Sequence, residues 1–274
     1  MSLMLPQSLV YEIFPDSCPT VLNMTWPSTP RLPLDRELLV RLLESCLPAD
    51  AIQVVESTGS TNTDLVNQVK SDRAALLVAE EQSAGRGRLD RTWIAPKSSG
   101  LLFSLYWPAP LLMAPLLMGV AAAEALRSTT TIPVSLKWPN DLMVSDRKLG
   151  GILASTSGGG VVIGVGINVS LTDAEKPDER ATSIVMERDE APPREVLIAE
   201  IVQRFSELTS IEGGEFLDRY KALSSTIGSR VRAEMVKGES IVGTAVGINS
   251  TGALLISNDA GDHVLTAGDV FHLR

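Results

Sequence analysis

Cysteine and histidine are nearly absent from this 274-residue chain, which carries two of each. Cys18 and Cys46 lack metal-type spacing and offer no disulfide framework. His263 and His272 both lie near the C-terminus, and no Ser/His or Cys/His pair for nucleophilic catalysis is evident. A basic excess is lacking too. The formal net charge is −9 and the pI about 4.9, which argues against a general nucleic-acid binder and suits local basic loops on an acidic surface. No lysine or arginine precedes Arg31 and prolines come early, so a secretory signal is not expected and a cytoplasmic protein is. The largely apolar stretch Leu101 to Leu126 is broken by Pro108, Pro110 and Pro115 and carries Glu124 near its end. It predicts a strand over Gly100 to Trp107, a proline loop and an amphipathic helix to about Arg127, not a membrane span. No internal repeat is visible.

Against these absences stands a run of unusual composition, Glu80-Glu81-Gln82-Ser83-Ala84-Gly85-Arg86-Gly87-Arg88-Leu89-Asp90-Arg91-Thr92-Trp93, after an apolar strand over Ala75 to Ala79. Gly85 and Gly87 can take backbone angles closed to other residues, and successive N–H groups in such a turn form an anion-binding nest. Arginine adds a fixed fork of donors suited to carboxylate or phosphate, and Trp93 a face on which a purine can stack. The same composition also suits a solvated basic turn.

Three further segments keep it company. Ser60-Thr61-Asn62 joins a strand over Ile52 to Val55 to a helix over Asp64 to Lys70, and can cap that helix or recognise a polar head group. Val134 to Trp138 reads as a strand ended by Pro139 and followed by Asn140-Asp141. Leu142 to Val144 and Lys148 to Ala154 then form a hairpin about Asp146-Arg147. The Gly150-Gly151 pair marks close approach by a ligand or another backbone, and Lys148 is either a solvated strand end or a ligand-facing cation. Val161 to Val169 reads as a buried strand whose single polar side chain, Asn168, needs a partner.

Residues 1–33 read as an irregular proline-rich leader, and Asp35 as the cap of a helix running through Cys46. Helices follow over Pro193 to Ile211 and Glu215 to Leu223, after a polar loop at Thr172 to Arg180. From Ser229 the texture changes. Strands over Arg230 to Met235, Ser240 to Val246, Ala253 to Ser257 and His263 to Thr266, with turns at Lys237-Gly238, Ser250 to Gly252 and Asp259 to Gly261, suggest a small barrel. The expected class is α+β, with a mixed-sheet main domain over residues 34–224 and a small β domain over 225–274.

The ordered set of Ser-Thr-Asn, Gly-Arg-Gly-Arg ending in Trp93, Lys-Trp-Pro-Asn-Asp, Arg-Lys-Leu-Gly-Gly-Ile-Leu and Gly-Ile-Asn resembles the biotin protein ligases over about residues 50–170, and more weakly to the C-terminus. That resemblance implies the biotin/lipoate ligase fold with an SH3-like C-terminal domain. It implies formation of biotinyl-5′-AMP from biotin and Mg-ATP as substrates, with no permanent cofactor and no resident metal assigned, and transfer of biotin to a lysine of a biotin carboxyl carrier domain. A homodimer is compatible with it. It assigns Ser60, Thr61, Asn62, Gln82, Arg86 and Gly87 to biotin, and Lys148 to the bridge between the biotin carboxylate and the α-phosphate. Arg88 would serve both substrates, Arg91, Trp93, Asn140 and Asn168 the nucleotide, and Asp141 the acceptor lysine or a metal. Leu89-Asp90 departs from the small or basic pair of many members, with Asp90 expected to pair with Arg91 or Arg88. Alternatives are a lipoate or octanoate ligase, a DNA-binding biotin sensor and a binding-only relative. Only one helix is readable before residue 50, so specific DNA binding is not expected.

Overall fold

The computed structural model describes residues 31–69, 72–211, 213–235 and 240–273. Most of the leader, Cys18 and the expected turn at Lys237-Gly238 lie outside the described residues. A seven-stranded mixed sheet forms the main body. Its strands are β1 (Ile52–Thr58), β2 (Ala75–Gln82), β3 (Gly100–Trp107), β4 (Val134–Lys137), β5 (Asp141–Val144), β6 (Arg147–Ser157) and β7 (Gly160–Asn168), in the order β1-β2-β3-β7-β6-β5-β4. The β1–β2 pair is parallel and the other pairs antiparallel.

Alternation along β7 explains the layers. Val161, Ile163, Val165 and Ile167 point into the main core, while Gly164, Gly166 and Asn168 line a cleft on the opposite face. The core face is covered by α1 (Arg36–Leu43), α3 (Ala114–Thr130) and α5 (Arg194–Leu208). Asp35 caps α1, accepting from the Glu37 and Leu38 amides. α3 is buried nearly all round because it lies between the sheet and the helices α5 and α6 (Gly213–Leu223). No helix among the described residues is long and apolar enough to cross a membrane. The other face carries α2 (Thr61–Gln68), which seats Leu65 against Leu77, Tyr106 and Val162.

A five-stranded antiparallel sheet completes the chain: β8 (Arg230–Glu234), β9 (Ser240–Ile248), β10 (Leu254–Asn258), β11 (Gly261–Leu265) and β12 (Asp269–His272), ordered β11-β10-β9-β8-β12. The expected α+β class, with a mixed-sheet domain and a small C-terminal β domain, is what the chain adopts. Several local expectations need correction. β2 extends through Gln82, because its end pairs with Ser57 and Thr58 of β1, so Glu80 to Gln82 belong to a strand and not to the loop. α2 begins at Thr61, earlier than Asp64, with Ser60 at its cap. The short helix α4 (Ile184–Arg188) and the strand β12 were not anticipated.

Candidate active site

The cleft on the sheet's open face has a volume of about 700 Å³. Its floor is stripped of side chains. Gly151 and Gly166 are cross-strand partners in β6 and β7, and the indole of Trp93 lies over them. A Cβ at Gly166 would fall 2.5 Å from Trp93 Cε2, and one at Gly151 3.6 Å from Trp93 Cζ3. Gly150, by contrast, serves the sheet itself, since its Cβ would stand 2.7 Å from the Gly166 carbonyl.

At one end of the cleft Ser60, Thr61 and Asn62 are all buried at the start of α2. Gln82 Oε1 accepts from the Thr61 amide at 2.8 Å and from its hydroxyl at 3.0 Å, while Ser104 donates to Thr61 Oγ1 at 2.9 Å. Asn62 Oδ1 accepts from Ser155 at 3.1 Å, and its Nδ2 reaches the Leu153 carbonyl at 3.4 Å. Ser60 caps α2, so its structural part is real. Thr61 and Asn62 are set by contacts from three strands, and this preorganises their polar edges toward the cleft.

The glycine–arginine run folds back on itself as a narrow hairpin. Gly87 N donates to Arg91 O at 2.6 Å, Arg91 N to Arg88 O at 3.1 Å and Trp93 N to Gly85 O at 2.9 Å. Those three amides are therefore used inside the loop, which corrects the expectation of a continuous backbone nest. Neither glycine has a positive φ. Gly85 is required by proximity, because a Cβ there would meet Trp93 O at 2.4 Å. The left-handed residues are Leu89 and Asp90, with φ of 52° and 58°. Asp tolerates that region better than Leu does. The expected Asp90–Arg91 pairing is replaced by an ion pair between Arg91 and Asp269 of β12.

The opposite end of the cleft is cationic. Lys148 Nζ lies 2.6 Å from Asp141 Oδ1 and 6.0 Å from the centre of the Trp93 ring. A register shift between Leu142 and Met143 sets Lys148 opposite Met143. Arg88 reaches Asn140 Oδ1 at 3.4 Å and the Gly268 carbonyl at 3.3 Å. Burial pushes the Arg88 guanidinium pKa down, while Asp269 and Asp141 favour its charge. Asn140 is fixed by a 2.7 Å bond from Nδ2 to the Ile152 carbonyl. Asn168 donates to the Thr182 carbonyl at 2.9 Å. Its amide is thereby held by the protein, which supplies the partner that a lone strand Asn requires. Arg86 is exposed at the rim. The structure thus gathers Ser60, Thr61, Asn62, Gln82, Arg86, Gly87, Arg88, Arg91, Trp93, Asn140, Asp141, Lys148 and Asn168 around one cleft.

Sequence reasoning missed three contributors. Lys137, at the end of β4, lines the cleft and has no ion-pair partner among the described residues. Burial lowers its pKa, with Asp141 opposing and Lys148 reinforcing that shift, and its ammonium lies 5.9 Å from the Phe271 ring centre. Its place in the Lys-Trp-Pro-Asn-Asp motif was the available signal. Asp269 and Phe271 of β12 close the cleft from the C-terminal sheet, and Pro177 to Ala181 wall its side. Trp138 in the same motif joins the two sheets, donating from Nε1 to the Gly252 carbonyl at 2.9 Å and from its amide to Thr226 Oγ1 at 3.0 Å.

The cleft thus joins a preorganised polar end to a cationic end across a glycine floor on a mixed sheet. The sequence matches the Biotin/lipoate A/B protein ligase family over residues 51–171 and the biotin protein ligase C terminal domain over residues 226–273. It is 34% identical over 265 residues to the biotin–[acetyl-CoA-carboxylase] ligase of Mycobacterium tuberculosis, covering 89% of this chain and 97% of that one. It is 33% identical over 223 residues to the bifunctional ligase/repressor BirA of Escherichia coli, covering 76% of this chain and 68% of that one. Among solved structures, the biotin protein ligase of Aquifex aeolicus in complex with biotin and ATP superposes with a TM-score of 0.71 at 30% identity, over 81% of this chain and 98% of that one. The chain belongs to the biotin protein ligase family.

Proposed function

We propose that this chain joins biotin to ATP as biotinyl-5′-AMP and then passes biotin to a lysine of a biotin carboxyl carrier domain. The observation that carries the reading is the single cleft joining the buried Ser60-Thr61-Asn62 edge to the Lys148, Arg88 and Lys137 cations. In the first step a biotin carboxylate oxygen attacks the α-phosphorus, the bond to the β-bridging oxygen breaks, and pyrophosphate leaves. Both reactants are anionic, so positioning and charge cancellation carry the rate. Thr61, Asn62 and Gln82, with Ser60, Arg86 and Gly87 beside them, hold the ureido ring. Lys148 spans carboxylate and α-phosphate, Arg88 and Arg91 take phosphate oxygens, and Asn140 and Asn168 shape the nucleotide end. Mg²⁺ arrives as part of the Mg-ATP substrate. No cluster of three or more His, Cys, Asp or Glu side chains fit to hold a metal occurs among the described residues. The lone carboxylates of the cleft suit a Mg²⁺ held chiefly by phosphates.

In the second step the acceptor amine attacks the acyl carbon, the bond to AMP breaks, and a proton leaves the nitrogen. Asp141 orients that amine. Trp93 supplies the adenine platform. Its buried Nε1 has no hydrogen-bond partner among the described residues, which supports a ring that shifts when the cleft fills. Residues 34–224 perform the chemistry and 225–274 complete the cleft. The reaction takes place in the cytoplasm, and a net charge of −9 supports no general nucleic-acid binding. The test incubates a biotin carrier domain with this protein, biotin and Mg-ATP, with lipoate and octanoate in parallel. A biotin-sized mass gain on one lysine is expected; gain only with lipoate or octanoate would replace the substrate, and no gain with any acid would refute the activity.

A further inference from the structure

A polar clamp at the root of the cleft's side wall is used by neither chemical step. Arg31 NH1 donates to Glu175 Oε1 at 2.9 Å and NH2 to Oε2 at 2.5 Å. The same guanidinium reaches the Ser170 carbonyl at 2.9 Å and the Ser170 hydroxyl at 3.3 Å. Glu175 also accepts from the Thr172 amide at 3.1 Å and the Thr172 hydroxyl at 2.8 Å, closing a capping box on the 3-10 turn Asp173–Glu175. One carboxylate therefore ties together donors from two distant segments.

Both ends of this arrangement lead somewhere definite. On one side the strap carrying Arg31 is fixed to the core. Arg194 donates to the Leu32 carbonyl at 2.6 Å, Leu34 N donates to Glu80, and Asp35 N donates to Glu195 at 2.7 Å. On the other side the loop runs on to Pro177 through Ala181, which line the cleft. It then pairs with the backbone of Lys148: Lys148 N donates to the Arg180 carbonyl at 2.5 Å, and Thr182 N to the Lys148 carbonyl at 2.9 Å. Pro177 to Arg180 are exposed, so apolar packing does little to hold them. Their position depends on the Arg31 clamp at one end and the Lys148 ladder at the other.

We propose that Arg31 is a positioning residue for the nucleotide end of the cleft, acting through Glu175 on the loop 172–181; this rests on the function proposed above. Releasing the clamp lowers the population of the loop in its cleft-lining position, and a ligand held there loses apparent affinity by that fraction. The biotin end, built from α2, β2 and β3, is untouched.

The test measures pyrophosphate release for wild type, Arg31→Met, Glu175→Gln and the double variant, with trypsin cleavage after Arg180 as a second readout. Lys176 precedes Pro177, so Arg180 is the tryptic site that reports on this loop. Each single variant should raise KM for ATP by roughly fivefold, with KM for biotin and kcat within about twofold, and the double variant should be no worse than either single one. Arg31→Lys, which keeps the charge and loses the fork, should recover part of the effect. Cleavage after Arg180 should quicken in both single variants. An unchanged KM for ATP in both, or both KM values rising together with a fall in Tm, would overturn the proposal and leave the strap a purely structural tie. If Arg31→Met does not fold, Glu175→Gln on the surface loop decides alone. A wild type that releases no pyrophosphate with biotin and ATP refutes the proposed function, and the tryptic comparison then decides on the clamp by itself.

Discussion

Replacing Gly166 by Ala tests whether the glycine floor exists to seat the Trp93 indole. The added Cβ would lie 2.5 Å from Cε2, 2.8 Å from Nε1 and 2.9 Å from Cζ2 of that ring. Carbon atoms in favourable contact stand about 3.5–4.0 Å apart, so the indole must rise by roughly 1 Å. It cannot do so by shifting its backbone freely. The Trp93 amide is bonded to the Gly85 carbonyl, and Gly85 is packed against Trp93 O too closely to tolerate a Cβ. The ring therefore rotates or lifts into the cleft, toward the Lys148 ammonium.

The stability cost should be small, about 1–2 kcal/mol, because overpacking here meets a half-exposed ring with open space above it. The functional cost should be larger. Misplacing a reacting group by 1 Å costs on the order of 10²-fold in rate, so pyrophosphate release should fall about 10- to 100-fold. Gly164→Ala is the control. A Cβ there would meet Asn62 Nδ2 and Ser104 Oγ at 3.3 Å, at the other end of the cleft, so it should leave tryptophan emission unchanged and raise KM for biotin instead. The assays are single-turnover adenylation, thermal melting and tryptophan emission. Gly166→Ala with wild-type adenylation and a normal melt would refute the idea that this glycine is reserved for the indole.

On the proposed function, Lys148→Ala removes the cation that spans the carboxylate and the α-phosphate. Adenylation measured by pyrophosphate release should fall by ~10²–10³ while the melt is nearly unchanged. Arg194→Met strands the Glu80 carboxylate, where both partners are 7% exposed and paired at 2.7 Å. Breaking such a pair costs ~3–5 kcal/mol, to be read from denaturant unfolding, and it should also loosen the Leu32 and Leu34 strap. Glu175 is held well below its ordinary value, to about 2 from 4.5, first by Arg31 and then by Thr172. A depressed carboxylate stabilises the fold above its unfolded pKa, and that contribution fades as protons bind. The Tm difference between wild type and Glu175→Gln should therefore be constant above pH 4.5 and shrink from there toward pH 2; a gap that widens on acidification would contradict the assignment.

Much of the site was legible because its motifs are local. Gly100–Trp107 is bounded as its composition predicts, and Asp35 caps α1 as its position predicts. Ser60 to Asn62 stood out as a short polar run and Lys148 as a lone cation beside glycines, while Asn140 was named by the family resemblance; the structure brings all of them to one cleft. What escaped depended on distant partners. β2 reaches Gln82 only because it pairs with the end of β1, and nothing in Glu80-Glu81-Gln82 announces that ladder. β12 is four residues long, shorter than any periodicity can detect, yet it brings Asp269 to Arg91 and Phe271 to Lys137. The loop glycines were assigned for the right place and the wrong reason. Crowding by the Trp93 carbonyl requires Gly85, a Cβ at Gly87 would stand a tight 3.2 Å from the Arg91 carbonyl, and the left-handed angles fall on Leu89 and Asp90.

The cleft also shows how an acidic protein keeps a cationic site assembled before an anion arrives. Unpaired, Lys148, Arg88 and Arg91 would repel one another across a half-buried space. Here each has a partner: Lys148 has Asp141, Arg91 has Asp269, and Arg88 has the Gly268 carbonyl and Asn140. A phosphate or carboxylate entering the cleft thus exchanges one anionic partner for another, and the side chains already point the right way. On the proposed reaction, the affinity that results is a difference between two pairings and so is modest. Asp269 opens β12 and Gly268 lies in the turn just before it, so the C-terminal β region holds the arginines of the main domain in place. Lys137 is the exception. It has no ion-pair partner among the described residues, and burial lowers its pKa while Asp141 opposes that shift.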